Sequence, residues 1–171
     1  MNKDFLTGVF VGAVLFFILA FLFLPAYSVS IVHSPGAEKE IVSLISSAES
    51  SIYVEMYVLT SYDVLDALVS AKERGVEIRV LLEERVSNGT NDYAYSKLSG
   101  CGAQVRWASR SYKLTHSKLI IVDKKKALVG SHNLSNSALN FNREVSLIVE
   151  GNVVQELLDL FTHDWNTAHF V

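Results

Sequence analysis

The longest apolar run in the chain covers residues 5–24, FLTGVFVGAVLFFILAFLFL, and contains no charge. A helix of that length, at about 1.5 Å per residue, reaches ~30 Å, the thickness of a bilayer's hydrocarbon core. A core helix would show a polar face, and this run shows none. The pattern predicts an uncleaved signal or transmembrane anchor over 5–24, between a tail at 1–4 and a linker at 25–28. Lys3 precedes the run and the next basic residue is Lys39. The positive-inside rule then predicts a single-pass membrane protein with a cytoplasmic N-terminus and an extracytoplasmic domain, 29–171.

Beyond the linker, apolar positions recur alternately at strand and helix periods. Val29 to His33 predicts a strand, closed by Ser34-Pro35-Gly36. Glu38 to Ser50 predicts a helix with Ile41, Leu44, Ile45 and Ala48 on one face. From Ser51 to Leu59, Ile52, Val54, Met56 and Val58 alternate with Tyr53, Glu55 and Tyr57, a strand pattern. Thr60 with Asp63 resembles a capping box, opening a helix to Arg74 that Gly75 ends. Val76 to Leu82 is a strand, Glu83 to Asn91 a polar loop, Asp92 to Ser99 a short helix, and Ala103 to Trp107 another strand. After a basic loop, Ser109 to Leu114, a strand runs through Ile120 and Val122. Lys124-Lys125-Lys126 turns the chain into Ala127–Gly130. A helical turn over Ser135 to Asn140, a strand from Arg143 to Glu150 and a last helix follow. That helix is capped by Asn152 with Gln155, and its inner face is Val153, Leu157, Leu160 and Phe161. The alternation predicts an α/β domain: a mixed β-sheet flanked by helices, preceded by the N-terminal transmembrane helix.

Half the residues are apolar, enough for a core, and the formal net charge is −3. Overall charge therefore does not point to a polyanionic partner, but its distribution does. Between Arg106 and Lys126 there are seven cationic residues and one acid, Asp123; after Lys126 the only cation is Arg143. The loop residues Arg110 and Lys113 are thus candidate substrate contacts. The single cysteine, Cys101, excludes an intrachain disulfide, and no Cys/His cluster has zinc-ligand spacing.

The positive stretch contains Thr115-His116-Ser117-Lys118-Leu119-Ile120-Ile121-Val122-Asp123, and Gly130-Ser131-His132-Asn133 follows. On a strand His116 and Lys118 share a face, while Leu119, Ile121 and Asp123 lie on the other. An imidazole beside an ammonium suits phosphoryl chemistry. Ser131 and Asn133 add neutral donors for phosphate oxygens.

The spacing, H-x-K-x4-D-x6-G-S-x-N, resembles the HKD signature of the phospholipase D superfamily. Six fixed residues at about 5% usage each arise by chance at on the order of 10⁻⁸ per window. The likeness extends over SPGAEKEIVSLISSAESSIYVEMYVLTS and AKERGVEIRVLLEE to about Ala168. It is greatest to the small single-motif members, such as the bacterial EDTA-resistant endonuclease and the Zucchini/mitochondrial cardiolipin hydrolase group. The Zucchini zinc-binding insertion is absent.

The resemblance implies a homodimer that brings two motifs together. It implies that His116 is the nucleophile, forming a phosphohistidine, and that His116 of the second copy is the acid. Lys118 and Asn133 hold the non-bridging oxygens, Ser131 adds a hydrogen bond, and Glu144 orients the His116 ring. Asp123, the motif's aspartate, is counted with the catalytic residues, although its strand face suggests a loop-fixing role. His132, at the variable position, reads either as a substrate contact or as an outward-facing bystander. No cofactor or metal is implied. The expected activity is metal-independent phosphodiester hydrolysis on DNA or RNA, with membrane phospholipid as the alternative. An inactive tethered binding module predicts loss of His116, Lys118 or Asn133, and all three are present.

Overall fold

The structure, a computed structural model, describes residues 10, 13–17 and 28–169. Most of the expected membrane segment lies outside these residues. Among the described residues no helix is long and apolar enough to cross a membrane.

Among the described residues seven strands make one mixed sheet: β1 (Val29–His33), β2 (Ser51–Met56), β3 (Glu77–Leu82), β4 (Gln104–Trp107), β5 (Lys118–Val122), β6 (Lys126–Gly130) and β7 (Val145–Glu150). Their order is β1-β7-β6-β5-β2-β3-β4. The β2–β3 and β3–β4 pairs are parallel, and the remaining pairs are antiparallel. Three helices belong to the first half: α1 (Glu38–Ser46) precedes β2, α2 (Tyr62–Glu73) links parallel β2 and β3, and α3 (Asp92–Gly100) links parallel β3 and β4. The second half turns directly from β5 to β6 through the lysines. It continues through α4 (Asn136–Asn140) to β7 and ends in α5 (Asn152–Thr167).

Strand alternation sorts the core into two layers. Ile52, Val54, Met56, Ile78, Val80, Ile120 and Val122 pack with Ile41, Ile45, Leu65, Leu68 and Leu98 of the first three helices. Tyr53, Leu81, Leu119, Ile121, Ala127 and Val149 pack under α5 against Val154, Phe161 and Trp165. Because β2 and β5 are covered on both faces, every residue of both strands is buried. Each fully buried aliphatic side chain there contributes about 1.5–3 kcal/mol relative to exposure.

Several boundaries differ from the sequence expectation, β2 ending at Met56 instead of Leu59 and β7 starting at Val145 instead of Arg143, and three helix ends show why. Helix α1 stops at Ser46, because the amides of Glu49, Ser50 and Ser51 turn to the Asp123 carboxylate instead. Helix α2 is capped by Ser61, not Thr60: the Ser61 hydroxyl accepts from the Val64 amide, while the Thr60 amide donates to Leu134. Helix α5 is entered through Gly151 at φ 96°, with no side-chain cap from Asn152. Its buried stripe is Val154, Phe161 and Trp165, whereas Val153 and Leu160 are exposed.

Candidate active site

The N-terminal end of β5, the C-terminal end of β6 and the N-terminal end of β7 lie at one end of the sheet. The register pairs Leu119 with Val129 and Gly130 with Ser146. That juxtaposition gathers His116, Lys118, Gly130, Ser131, Asn133 and Glu144 around an open cavity of 410 Å³. His116 is exposed at its mouth and Lys118 is buried beneath it.

The Lys118 ammonium donates to the His116 carbonyl at 2.7 Å and lies 2.9 Å and 3.2 Å from the two ring nitrogens. Burial pushes this ammonium below the usual lysine range, and Glu144 opposes the shift. The Ser131 hydroxyl donates to Glu144 at 2.5 Å, and the Asn142 amide reaches the other carboxylate oxygen at 3.3 Å. Among the described residues no hydrogen bond joins Glu144 to His116, so the expected carboxylate–imidazole contact is replaced by a carboxylate–serine one. The half-buried Asn133 amide has an oxygen with no partner among the described residues. It is the N–H groups of this amide, and not its acceptor oxygen, that can donate to a phosphate's oxygens.

Asp123 does not belong to this group. It stands at the opposite end of β5, roughly 20 Å along the strand from His116. Its carboxylate accepts the amides of Glu49, Ser50 and Ser51 and the Ser50 hydroxyl. Burial pushes its pKa up, but these amides and the hydroxyl outweigh it and hold the group at about 2. Its position corrects the catalytic assignment to a loop-fixing one.

His132 is neither a substrate contact nor an outward-facing residue: it is 0% exposed. The Ser34 hydroxyl donates to the Ala138 carbonyl at 2.7 Å and lies 3.0 Å from His132 Nε2. With its proton so committed, Ser34 accepts from Nε2–H, and Nδ1 accepts from the Ser146 hydroxyl at 2.7 Å. Burial pushes the ring below the ordinary histidine pKa; Glu144 opposes this and His33 adds to it. The ring pins the Gly130–Asn133 turn to the end of β1 and to β7.

Of the basic-loop residues, Arg110 pairs with Glu84 at 2.7 Å and Lys113 is exposed; neither lines the cavity. Trp107 is core, stacked on Tyr95 with centroids 4.5 Å apart, while Tyr112 is exposed.

Four supporting groups escaped the sequence reading. Tyr57 lies with its ring centroid 4.4 Å from that of His116. Buried Asn91 bonds the Tyr57 carbonyl, the Glu83 carbonyl and the Leu59 amide. Buried Glu83 holds Arg85 and the Thr115 amide. Burial pushes the Glu83 carboxyl up, but Arg85 and the two amides more than reverse it, leaving it below the ordinary value. Glu55, on the opposite sheet face, is fully buried and neither carboxylate oxygen makes a well-formed hydrogen bond among the described residues, although Ser117 and Asp164 lie near enough to act on it. The one available signal was an acid in the middle of a buried strand.

Comparison with known proteins agrees with this architecture. The family described as cardiolipin synthase, PLD-like domain, matches residues 41–165. A Rickettsia conorii protein named phospholipase D is 33% identical over 131 residues, covering 76% of this chain and 62% of its own length. The chain thus spans about three fifths of that relative. Among solved structures, Nuc from Salmonella typhimurium, a phospholipase D family member, aligns with a TM-score of 0.79 at 30% identity, over 84% of this chain and 97% of Nuc. NucT from Helicobacter pylori shares the fold, with a TM-score of 0.74 at 20% identity, over 85% of this chain and 100% of NucT.

Proposed function

The chain belongs to the phospholipase D-like family, and on that premise we propose that it is a membrane-anchored, metal-independent phosphodiesterase that cuts nucleic acid in a homodimeric site. The observation that carries this reading is the cavity where exposed His116 stands over buried Lys118, with Ser131, Asn133 and Glu144 around it. A ring nitrogen of His116 attacks phosphorus. Lys118 and the Asn133 amide neutralise the non-bridging oxygens as the P–O bond to the leaving group breaks. The leaving alkoxide takes a proton from His116 of the second copy, which then deprotonates water. Hydroxide attacks phosphorus, the P–N bond breaks and His116 is regenerated.

A second copy is needed because this chain supplies one imidazole to the cavity; His132 is locked by two serines. Exposed Val29, Ile31, Val145 and Leu147 form an apolar face on the neighbouring strands β1 and β7, suited to that copy. The nucleic-acid reading is supported by the likeness to Nuc over 97% of its length, matching the small single-motif size class. The phospholipid alternative is favoured by the apolar run 5–24, which would hold the cavity near headgroups, and by the relatives named phospholipase D.

The test is the full chain in detergent, given plasmid DNA, RNA or cardiolipin vesicles in EDTA. Nicking of nucleic acid that His116→Asn abolishes, together with loss of a trapped phospho-enzyme, is the expected result. Turnover of vesicles alone overturns the nucleic-acid reading.

A further inference from the structure

Each step of the proposed reaction places positive charge on an imidazole. The attacking ring becomes cationic as the P–N bond forms, and the acid ring is cationic before it gives up its proton. Here that charge develops 2.9 Å from the Lys118 ammonium, a like charge in a partly buried site. A carboxylate hydrogen-bonded to the ring would be the ordinary compensation. Glu144, the carboxylate of this cavity, is instead engaged by Ser131 and Asn142.

The other electron-rich group against His116 is the ring of Tyr57. Its centroid lies 4.4 Å from the imidazole centroid, with the planes tilted by 50°. The same ring lies 5.1 Å from Lys118 Nζ, so one aromatic face is within cation–π range of both cationic groups. Tyr57 is held there from both sides. Its amide donates to the Ser117 carbonyl at 3.1 Å, inside the motif, and its carbonyl accepts from buried Asn91 at 2.8 Å. The bond to Ser117 continues the antiparallel pairing of β2 with β5, so the sheet itself fixes where the ring stands relative to His116 and Lys118.

We propose that Tyr57 is a positioning residue of the reaction: its aromatic face seats the His116 ring and stabilises the positive charge that the ring carries in the transition state. The inference rests on His116 acting as proposed above. Its energetic scale is that of a partly exposed cation–π contact, so an effect of about 3- to 30-fold on turnover is expected.

The experiment replaces Tyr57 in the full chain with Phe, Trp and Leu, and with 4-fluoro-, 3,5-difluoro- and 3,4,5-trifluorophenylalanine. Fluorine withdraws electron density from the face while leaving the ring's shape nearly constant. Steady-state kinetics on an oligonucleotide are measured for each variant, with thermal unfolding as the fold control. Phe and Trp retain most of kcat, Leu loses about 10-fold with KM little changed, and kcat falls stepwise along the fluorine series. A kcat that is flat across the fluorine series, or a Leu variant as active as the parent, overturns the proposal, even if Leu alone proves unstable. Turnover that survives His116→Asn would overturn the reading of the site itself, an outcome separate from a flat series.

Discussion

Glu83 and Thr115 are 32 positions apart and joined by a 2.7 Å hydrogen bond from the Thr115 amide to the buried carboxylate. The same carboxylate holds Arg85 through two side-chain bonds of 2.6 and 2.8 Å, and Arg85 in turn reaches the carbonyls of Tyr112 and Ser109. The end of β3 thereby fixes the loop that delivers His116. Glu83→Gln replaces an acceptor-only group with one that presents donors to Arg85 and Thr115. We expect a loss of about 2–3 kcal/mol in urea unfolding. A fall in kcat should accompany it, because Thr115 immediately precedes His116, the proposed nucleophile.

Gly130 pairs with Ser146 where β6 meets the start of β7. A methyl group there would overlap the Cα and hydroxyl of Ser146 and the carbonyl of Val145. Backbone atoms cannot swing aside as a flexible side chain does, so Gly130→Ala should cost about 2 kcal/mol or more. It should also displace Ser131 and Asn133. Calorimetry and turnover are expected to drop together, and a variant with wild-type stability would refute the close approach.

Stability should respond to Glu55 in an unusual direction. Burial raises this carboxyl to about 7; Ser117 pulls it down and Asp164 pushes it up. The unfolded chain releases the proton near pH 4.5, while the folded chain keeps it until about pH 7. Between those values the folded state binds more protons, so this group destabilises progressively as pH rises, by about 3 kcal/mol once above pH 7. Asp123 acts oppositely: lowered to about 2, it stabilises above its ordinary value, and that contribution is lost as pH falls through 2. Glu55→Gln should therefore gain stability over the parent at pH 8 and match it near pH 4. Equal unfolding midpoints at pH 8 would count against a proton held in the fold.

His132→Ala removes a buried ring that bonds two serines. A cost of about 2–4 kcal/mol is expected from the cavity and the lost bonds. Turnover should fall through displacement of the flanking Ser131 and Asn133. A variant of parental stability with only a raised KM would restore the substrate-contact reading.

The order of strands and helices was legible in the chain because burial leaves a local period: Ile120 and Val122 face one layer, Leu119 and Ile121 the other. That His116, Lys118, Ser131 and Asn133 belong around one cavity was legible for a related reason, since they fall close together in sequence and their chemistry is evident from residue type. The cap of α2 slipped by one residue, from the expected Thr60 to its neighbour Ser61. Only backbone direction chooses between them.

The sequence alone determined an α/β domain with an imidazole and an ammonium on one strand face. Only the tertiary structure decided what surrounds them. His132 is pinned to Ser34, 98 positions away, and Asp123 to Glu49, 74 positions away; Tyr57 meets His116 across two strands that pair antiparallel. Periodicity tells which face a side chain occupies. It does not tell which distant group fills the space opposite, because that depends on chain crossings that no local window contains.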